Sequence, residues 1–249
     1  MPLEKTTSTI EAGAAPLELA CVIPCFNEAL VLRDTIASVL AAGLRPADVF
    51  VIDDCSSDET AAIARSLGVH VLRNTRNLGK SRSIARAVDE VRQHDRHAFL
   101  SVLDADTLVD SGYFKTVVRS FEADADVVLV CGQPRSRRHN WLTAYRAFEY
   151  ALSHAIYKQA QHRLNAITVA PGCASTYRMA VLGHLEWNPE ILTEDADTTV
   201  QVYRKRLGRI VYERRAIVYT QDPGTVRALH GQLRRWYTGL WQVVVCHRI

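Results

Sequence analysis

Along the first 105 residues, short apolar runs alternate with stretches of helical periodicity. Leu19 to Ile23, Val49 to Ile52, Val69 to Arg73 and Phe99 to Leu103 read as strands, the first broken by Pro24, which cannot continue a central ladder. Between them, Glu28 to Ala42 places Leu32, Ile36, Val39 and Leu40 at helical spacing, with Gly43 as its C-cap. Ser56, Ser57 and Asp58 offer N-cap oxygens to a helix ending at Leu67 and Gly68, and Ser81 to Val91 forms a third helix. Crossovers of this length favour parallel pairing, so the pattern predicts a doubly wound α/β sheet with helices on both faces.

Beyond residue 105 the rhythm loosens. Helices are expected over Ser111 to Glu122, Asp195 to Leu207 and Thr225 to Gln242. Trp141 to His162 reads as one long helix carrying Leu142, Tyr145, Phe148, Leu152, Ile156 and Tyr157. Strands are expected at Val127 to Cys131, at Ile167 to Ala170 and Ala174 to Tyr177 around Pro171-Gly172, and at Ile210 to Tyr219. Residues 1–17 read as a flexible leader, without the basic-then-apolar layout of a signal peptide.

Composition adds limits. The chain has 249 residues, 48% hydrophobic and 23% charged, enough to bury a core. A net charge of +3 gives no reason to expect nucleic acid, although arginines cluster in the second half, where they suit phosphates, an anionic membrane surface or simply water. The six cysteines show no zinc-ligand spacing and fit a reducing, cytoplasmic compartment. No apolar run reaches the roughly 18–20 residues of a membrane span.

The candidate chemistry lies where predicted strands end, the rim at which α/β sheets bind ligands. Pro24, Phe26 and Glu28 follow the first strand, where Phe26 can flank a base and Asn27 or Glu28 can hydrogen-bond it or cap a helix. Asp53 and Asp54 follow the second, with carboxylates able to accept from a base N–H or a ribose hydroxyl. Asn77-Leu-Gly-Lys80 precedes a helix; Lys80 can approach a phosphate, or the segment is a plain turn. Asp104 and Asp106, one residue apart, can grip Mg²⁺ or Mn²⁺, or cap a turn. Thr193-Glu194-Asp195 is either an N-cap box or the setting of a general base at Asp195. Gln232, Arg235 and Trp236 share one helix face, as a diphosphate and sugar platform or as core packing.

In order and spacing, this set resembles glycosyltransferase family 2. Within it, the chain is most similar to the processive membrane polysaccharide synthases of the cellulose, hyaluronan, chitin and poly-N-acetylglucosamine type. The resemblance covers about residues 19–245. It implies a single GT-A (Rossmann-like) catalytic domain over 18–249, a mostly parallel sheet flanked by helices, with a nucleotide-binding half (18–106) and an acceptor-binding half (107–249). It further implies a metal-dependent, inverting transfer from a nucleotide-diphospho-sugar, a UDP-sugar by family habit, to a carbohydrate or lipid-linked acceptor. In that scheme Asp195 is the base with Glu194 beside it. Asp53 and Asp54 take the base and ribose, Asp104 the donor and Asp106 the Mg²⁺ or Mn²⁺. Gln232, Arg235 and Trp236 hold the diphosphate and the acceptor end. Gly172 and Cys173 line the acceptor side, with Arg178 supporting their loop.

Two departures stand out. The synthases carry transmembrane helices that this chain lacks, and its apolar end, Val243 to Ile249, favours a cut before such segments over a soluble relative. Those segments would hold the domain at the inner face of the plasma membrane. Cys55 also stands where the family has glycine. A single-sugar transferase remains the alternative. A nucleotidyltransferase fits less well, since residues 22–30 contain no Gly, Lys or Arg for a triphosphate loop. A non-catalytic binding module would not require the acids.

Overall fold

The computed structural model describes residues 17–249, so the predicted leader lies, except for Leu17, outside the described residues. The strands are β1 (Leu19–Cys25), β2 (Val49–Asp53), β3 (His70–Arg73), β4 (Phe99–Val102), β5 (Leu108–Val109), β6 (Val127–Ser136), β7 (Ser175–Arg178) and β8 (Arg209–Thr220). Among the described residues they form one sheet in the order β3-β2-β1-β4-β7-β6-β8-β5. β3, β2, β1 and β4 are parallel, β7 is antiparallel to both β4 and β6, and β8 pairs with β6 in parallel. The predicted doubly wound α/β class holds.

Period-two alternation sorts the two faces. Leu19, Cys21 and Ile23 pack on one side with α1 (Leu32–Ala41), α2 (Thr60–Ser66) and α4 (Tyr113–Ala123). Ala20 and Val22 pack on the other with α3 (Lys80–Gln93), α7 (Met179–Leu182) and α8 (Glu194–Arg204). A central parallel strand buried on both faces explains why Leu19 to Ile23 is an unbroken apolar run.

Pro24 does not end β1 as expected. Val22 O accepts from Leu103 N on the β4 side, and Cys25 O accepts from Asp54 N on the β2 side. Alternation therefore turns the Pro24 nitrogen toward β4, whose pairing with β1 stops at Val22. The missing N–H falls where no acceptor waits.

Trp141 to Arg163 is continuous but not uniform. α5 (Trp141–Leu152) widens into a π-helical segment (Ser153–Lys158) before α6 (Gln159–Arg163). Its apolar stripe, including Tyr145, Phe148 and Ile156, faces outward, while Arg146 and His154 are buried. Ile167 to Ala170 forms no strand, because side chains take its backbone groups: Lys158 Nζ donates to Val169 O at 2.6 Å and Thr199 Oγ1 accepts from Ala170 N at 2.9 Å. α9 (Val226–His247) runs beyond its predicted end. Among the described residues no helix is long and apolar enough to cross a membrane.

Cys55 has φ 68°, in the left-handed region that favours glycine. Cys55→Gly should hold or raise stability, by up to about 1 kcal/mol, and Cys55→Val should lower it by about 1–2 kcal/mol. Urea unfolding checks this; a Val variant as stable as the parent would show the turn to be unstrained.

Candidate active site

Three parallel strands end at one edge of the sheet and deliver Pro24, Asp54 and Asp104 there. β7 runs against β4 with Val102 opposite Ser175, so the loop before it, Pro171 to Cys173, arrives at the same edge. α8 and α9 close the far side, leaving a cavity of about 620 Å³. Pro24, Phe26, Glu28, Asp54 and Lys80 line it on the side of the parallel strands, with Asp104 and Asp106 beside them and Phe26 half exposed. Gly172, Cys173, Glu194 and Asp195 line the floor, and Gln232, Arg235 and Trp236 the wall made by α9. Residues spread over more than 200 positions thus meet in one concavity.

Asp53 is the exception. It is fully buried, accepts from Ser56 N at 2.9 Å and pairs with Arg73 Nε at 3.1 Å, and does not line the cavity. Here it braces the loop, away from the cavity in which its expected role in base recognition would place it. Asp54 does reach the cavity, yet its oxygens take Asn74 Nδ2, Leu78 N and Gly79 N at 2.7–2.8 Å. It ties down the segment that carries Lys80. Asn27 is likewise occupied, accepting from Ser57 N at 2.8 Å and joining two loops. Arg178 donates to Val127 O and Phe121 O and stacks over Phe99 and Phe121, so its contacts lie with the α4 side of the sheet rather than with the Pro171 loop.

Lys80 Nζ lies 2.6 Å from Asp104 Oδ1 and 2.7 Å from Glu194 Oε1. Burial alone would lower its pKa, but the two carboxylates outweigh this and hold it well above the usual lysine value. Asp106 has no such neighbour within bonding reach. Burial, then Asp104 and Glu28, push it up to about 6. The Asp104–Asp106 turn is fixed from beneath, where Ala105 O accepts from Thr35 Oγ1 at 2.7 Å.

Asp195 accepts from Gly172 N at 3.0 Å and from Ala196 N at 2.8 Å. Burial and the adjacent Glu194 push its pKa up to about 6, against the pull of Lys80 and the two N–H donors. A carboxylate of that pKa, in a cleft and held by backbone N–H groups, can serve as a general base near neutral pH. Thr193 occupies the N-cap position of α8 but caps nothing with its side chain. The capping-box reading therefore does not account for these acids.

Two glycines allow the close packing. A Cβ at Gly172 would meet Glu194 Oε1 and Lys80 Nζ at 3.2 Å, and one at Gly239 would meet Thr193 side-chain atoms at 2.5 Å. α9 is also tied down by Leu192 N donating to Gln242 Oε1 at 3.0 Å and by His247 Nε2 to Asp197 Oδ1 at 2.6 Å. On α9, Gln232 Oε1 is buried without a partner. Trp236 lines the cavity, backed by Arg146 with its guanidinium carbon 5.5 Å from the ring centre. Arg146 is itself held by Glu149 at 2.6 Å and by the Tyr150 hydroxyl at 3.1 Å. The core-packing reading of Trp236 gives way to a braced aromatic wall.

Tyr150, Ser153, His154 and Lys158 also line the cavity and were not anticipated. Burial, then Lys158, pushes His154 down to about 4, and burial lowers Lys158. The His154–Lys158 spacing of four was the available signal, but it gained direction only from the π-helical turn. Cys173 offers no nucleophile, since burial and the nearby acids raise its thiol well above the ordinary value.

Comparison with known proteins agrees with this fold. The family described as "Glycosyltransferase like family 2" matches residues 16–239. Poly-beta-1,6-N-acetyl-D-glucosamine synthase of Staphylococcus aureus (strain COL) is 26% identical over 226 residues, covering 90% of this chain and 55% of that protein. The synthase of that name from Staphylococcus epidermidis is 26% identical over 229 residues, covering 91% and 55%. The chain thus spans about half the length of these relatives. Among solved structures, the mannosyltransferase PcManGT of Pyrobaculum calidifontis, in complex with GDP-Man and Mn²⁺, superposes with a TM-score of 0.70 at 16% identity, covering 94% of this chain and 66% of that one. S. aureus TarS in complex with UDP-GlcNAc gives 0.62 at 16% identity, covering 83% and 59%.

Gly239→Ala should push α9 away from Thr193, lowering the turnover of whatever reaction the cavity performs by about tenfold or more and stability by about 1–3 kcal/mol. Steady-state rates and thermal unfolding check this; parental values for both would show that the helix is free to shift.

Proposed function

The chain belongs to glycosyltransferase family 2, and on that premise we propose that it transfers a sugar from UDP-N-acetylglucosamine to the hydroxyl end of a growing amino-sugar polymer, with inversion at the anomeric carbon. The observation that carries the reading is the convergence of Asp104, Asp106, Asp195 and Trp236 on one cavity. The name of the Staphylococcus relatives supports the choice of sugar and polymer.

In this reading Asp195 takes the proton from the attacking hydroxyl as oxygen approaches the anomeric carbon to about 3–3.5 Å. Gly172 N–H holds one carboxylate oxygen of Asp195 at 3.0 Å and so fixes its direction. Arg235, exposed on α9, receives the departing diphosphate, and Gln232 offers its free Oε1 to a donor hydroxyl. Trp236 stacks on the acceptor sugar, opposite Gly172 and Cys173. Asp54 keeps the Lys80 loop closed against the nucleotide, and Phe26, half exposed at the rim, flanks the base.

The donor set suits a divalent cation. Among the described residues no cluster of three or more metal-ligating side chains occurs. Asp104 and Asp106 alone provide two hard oxygen ligands; burial, then the nearby Asp104 and Glu28, raises Asp106, and a cation would relieve the like-charge part of that. Mg²⁺ and Mn²⁺ are commonly completed by substrate phosphates in this way. When bound, such an ion would neutralise charge on the leaving diphosphate.

The outward apolar side chains of α5, the π-helical segment and α9, among them Phe148, Tyr157 and Trp241, favour a seat against the inner face of the plasma membrane.

Asp195→Asn should cut UDP release by about 10²–10⁴-fold with donor affinity held within a few-fold. Donor titration beside a UDP-release assay over several UDP-sugars, with and without Mn²⁺, checks this; near-parental turnover would remove Asp195 as the base. The base must be ionised to act, so kcat/KM should rise with pH through an acid limb near 6. A profile flat from pH 5 to 8 would contradict that assignment.

A further inference from the structure

Two irregular segments meet outside the catalytic cavity. β6 and β8 lose register where Cys131 faces Tyr212 but Gln133 faces Ile217, so that two steps along β6 match five along β8. The bulge throws Arg214 and Arg215 outward while Ala216 stays fully buried. Across from it runs the π-helical segment. Bulges and π-turns both re-aim side chains and gather at functional sites.

Between them lies a second cavity of about 430 Å³, lined by Arg135, Arg214 and Arg215 with the amides of Gln133 and Gln159. Arg215 is engaged by Glu213, with Nε to Oε1 at 3.0 Å. Arg135 and Arg214 have no carboxylate within 4.0 Å among the described residues. The pocket therefore gathers three guanidinium groups against one carboxylate. His154 lines this cavity and the catalytic one, so a ligand here would lie one side chain away from the acceptor wall.

We propose that the Arg135–Arg214–Arg215 pocket is a second ligand site, which binds a phosphate-bearing anion apart from the sugar donor. Planar guanidinium groups match phosphate oxygens two at a time, and the glutamine amides add neutral donors and acceptors for the rest of the ligand. The phosphate belongs either to a soluble ester or to a lipid headgroup at the π-helical segment that lines the pocket, where Ile156 and Tyr157 are exposed.

The test titrates inorganic diphosphate calorimetrically into the full chain, its Arg135→Gln/Arg214→Gln double variant and Glu213→Gln. The double variant should bind one diphosphate fewer per chain than the parent, or bind it about tenfold more weakly. Glu213→Gln, which frees Arg215, should bind more tightly. Diphosphate binding in the catalytic cavity is common to all three proteins and cancels. In parallel, flotation with phosphatidylglycerol and phosphatidylcholine vesicles separates the sources. Loss of phosphatidylglycerol binding in the double variant, with an unchanged titration, identifies the phosphate as a headgroup. Equal titration and equal flotation across the three proteins overturn the site.

Discussion

Lys80 is a single ammonium group held between carboxylates from two distant parts of the chain. It touches Asp104, at the end of a central strand, and Glu194, at the start of α8. Without that charge, Glu28, Asp104, Asp106, Glu194 and Asp195 would share one cavity with no cation in salt-bridge contact among the described residues, since Lys158 and Arg235 line it without pairing to them. The loop that carries Lys80 is anchored by three donors to Asp54. This contact joins the end of β4 to the start of α8 across the cavity.

The acids do not share that charge equally. Asp104 and Glu194 are in direct contact with Lys80, whereas Asp106 and Asp195 are not, and burial with the neighbouring carboxylates pushes these two up to about 6. Burial and a nearby carboxylate both disfavour the charged form. One fold thereby keeps ion-paired and unpaired acids within a single cavity. In the proposed reaction the cation draws on one of each, Asp104 and Asp106, and proton transfer falls to Asp195.

The wall opposite is built by different means. α9 approaches α8 only because Gly239 has no side chain to meet Thr193. Trp236 is steadied by Arg146, which is buried on a helix whose apolar stripe faces outward. A polar inner face and an apolar outer face invert the usual helix arrangement. The inversion is compensated by the hydrogen bonds of Arg146 to Glu149 and Tyr150 and by that of the Tyr150 hydroxyl to Asp222.

The chain alone determined the parallel half of the sheet, because buried parallel strands must be continuous apolar runs and their crossovers must carry helical periodicity. It also determined which carboxylates end those strands, and so most of the cavity. Tertiary structure decided what local pattern could not carry. Pro24 continues its strand because β4 has already turned away, and Ile167 to Ala170 is no strand because Lys158 and Thr199 take its backbone groups. Asp53 and Asp54 are adjacent in sequence, yet one is sealed under Arg73 and the other opens to the cavity, since successive strand residues point to opposite faces. The π-helical turn that aims His154 and Lys158 inward leaves no mark on hydrophobic periodicity. Its direction depends on what packs against it, which only the folded chain supplies.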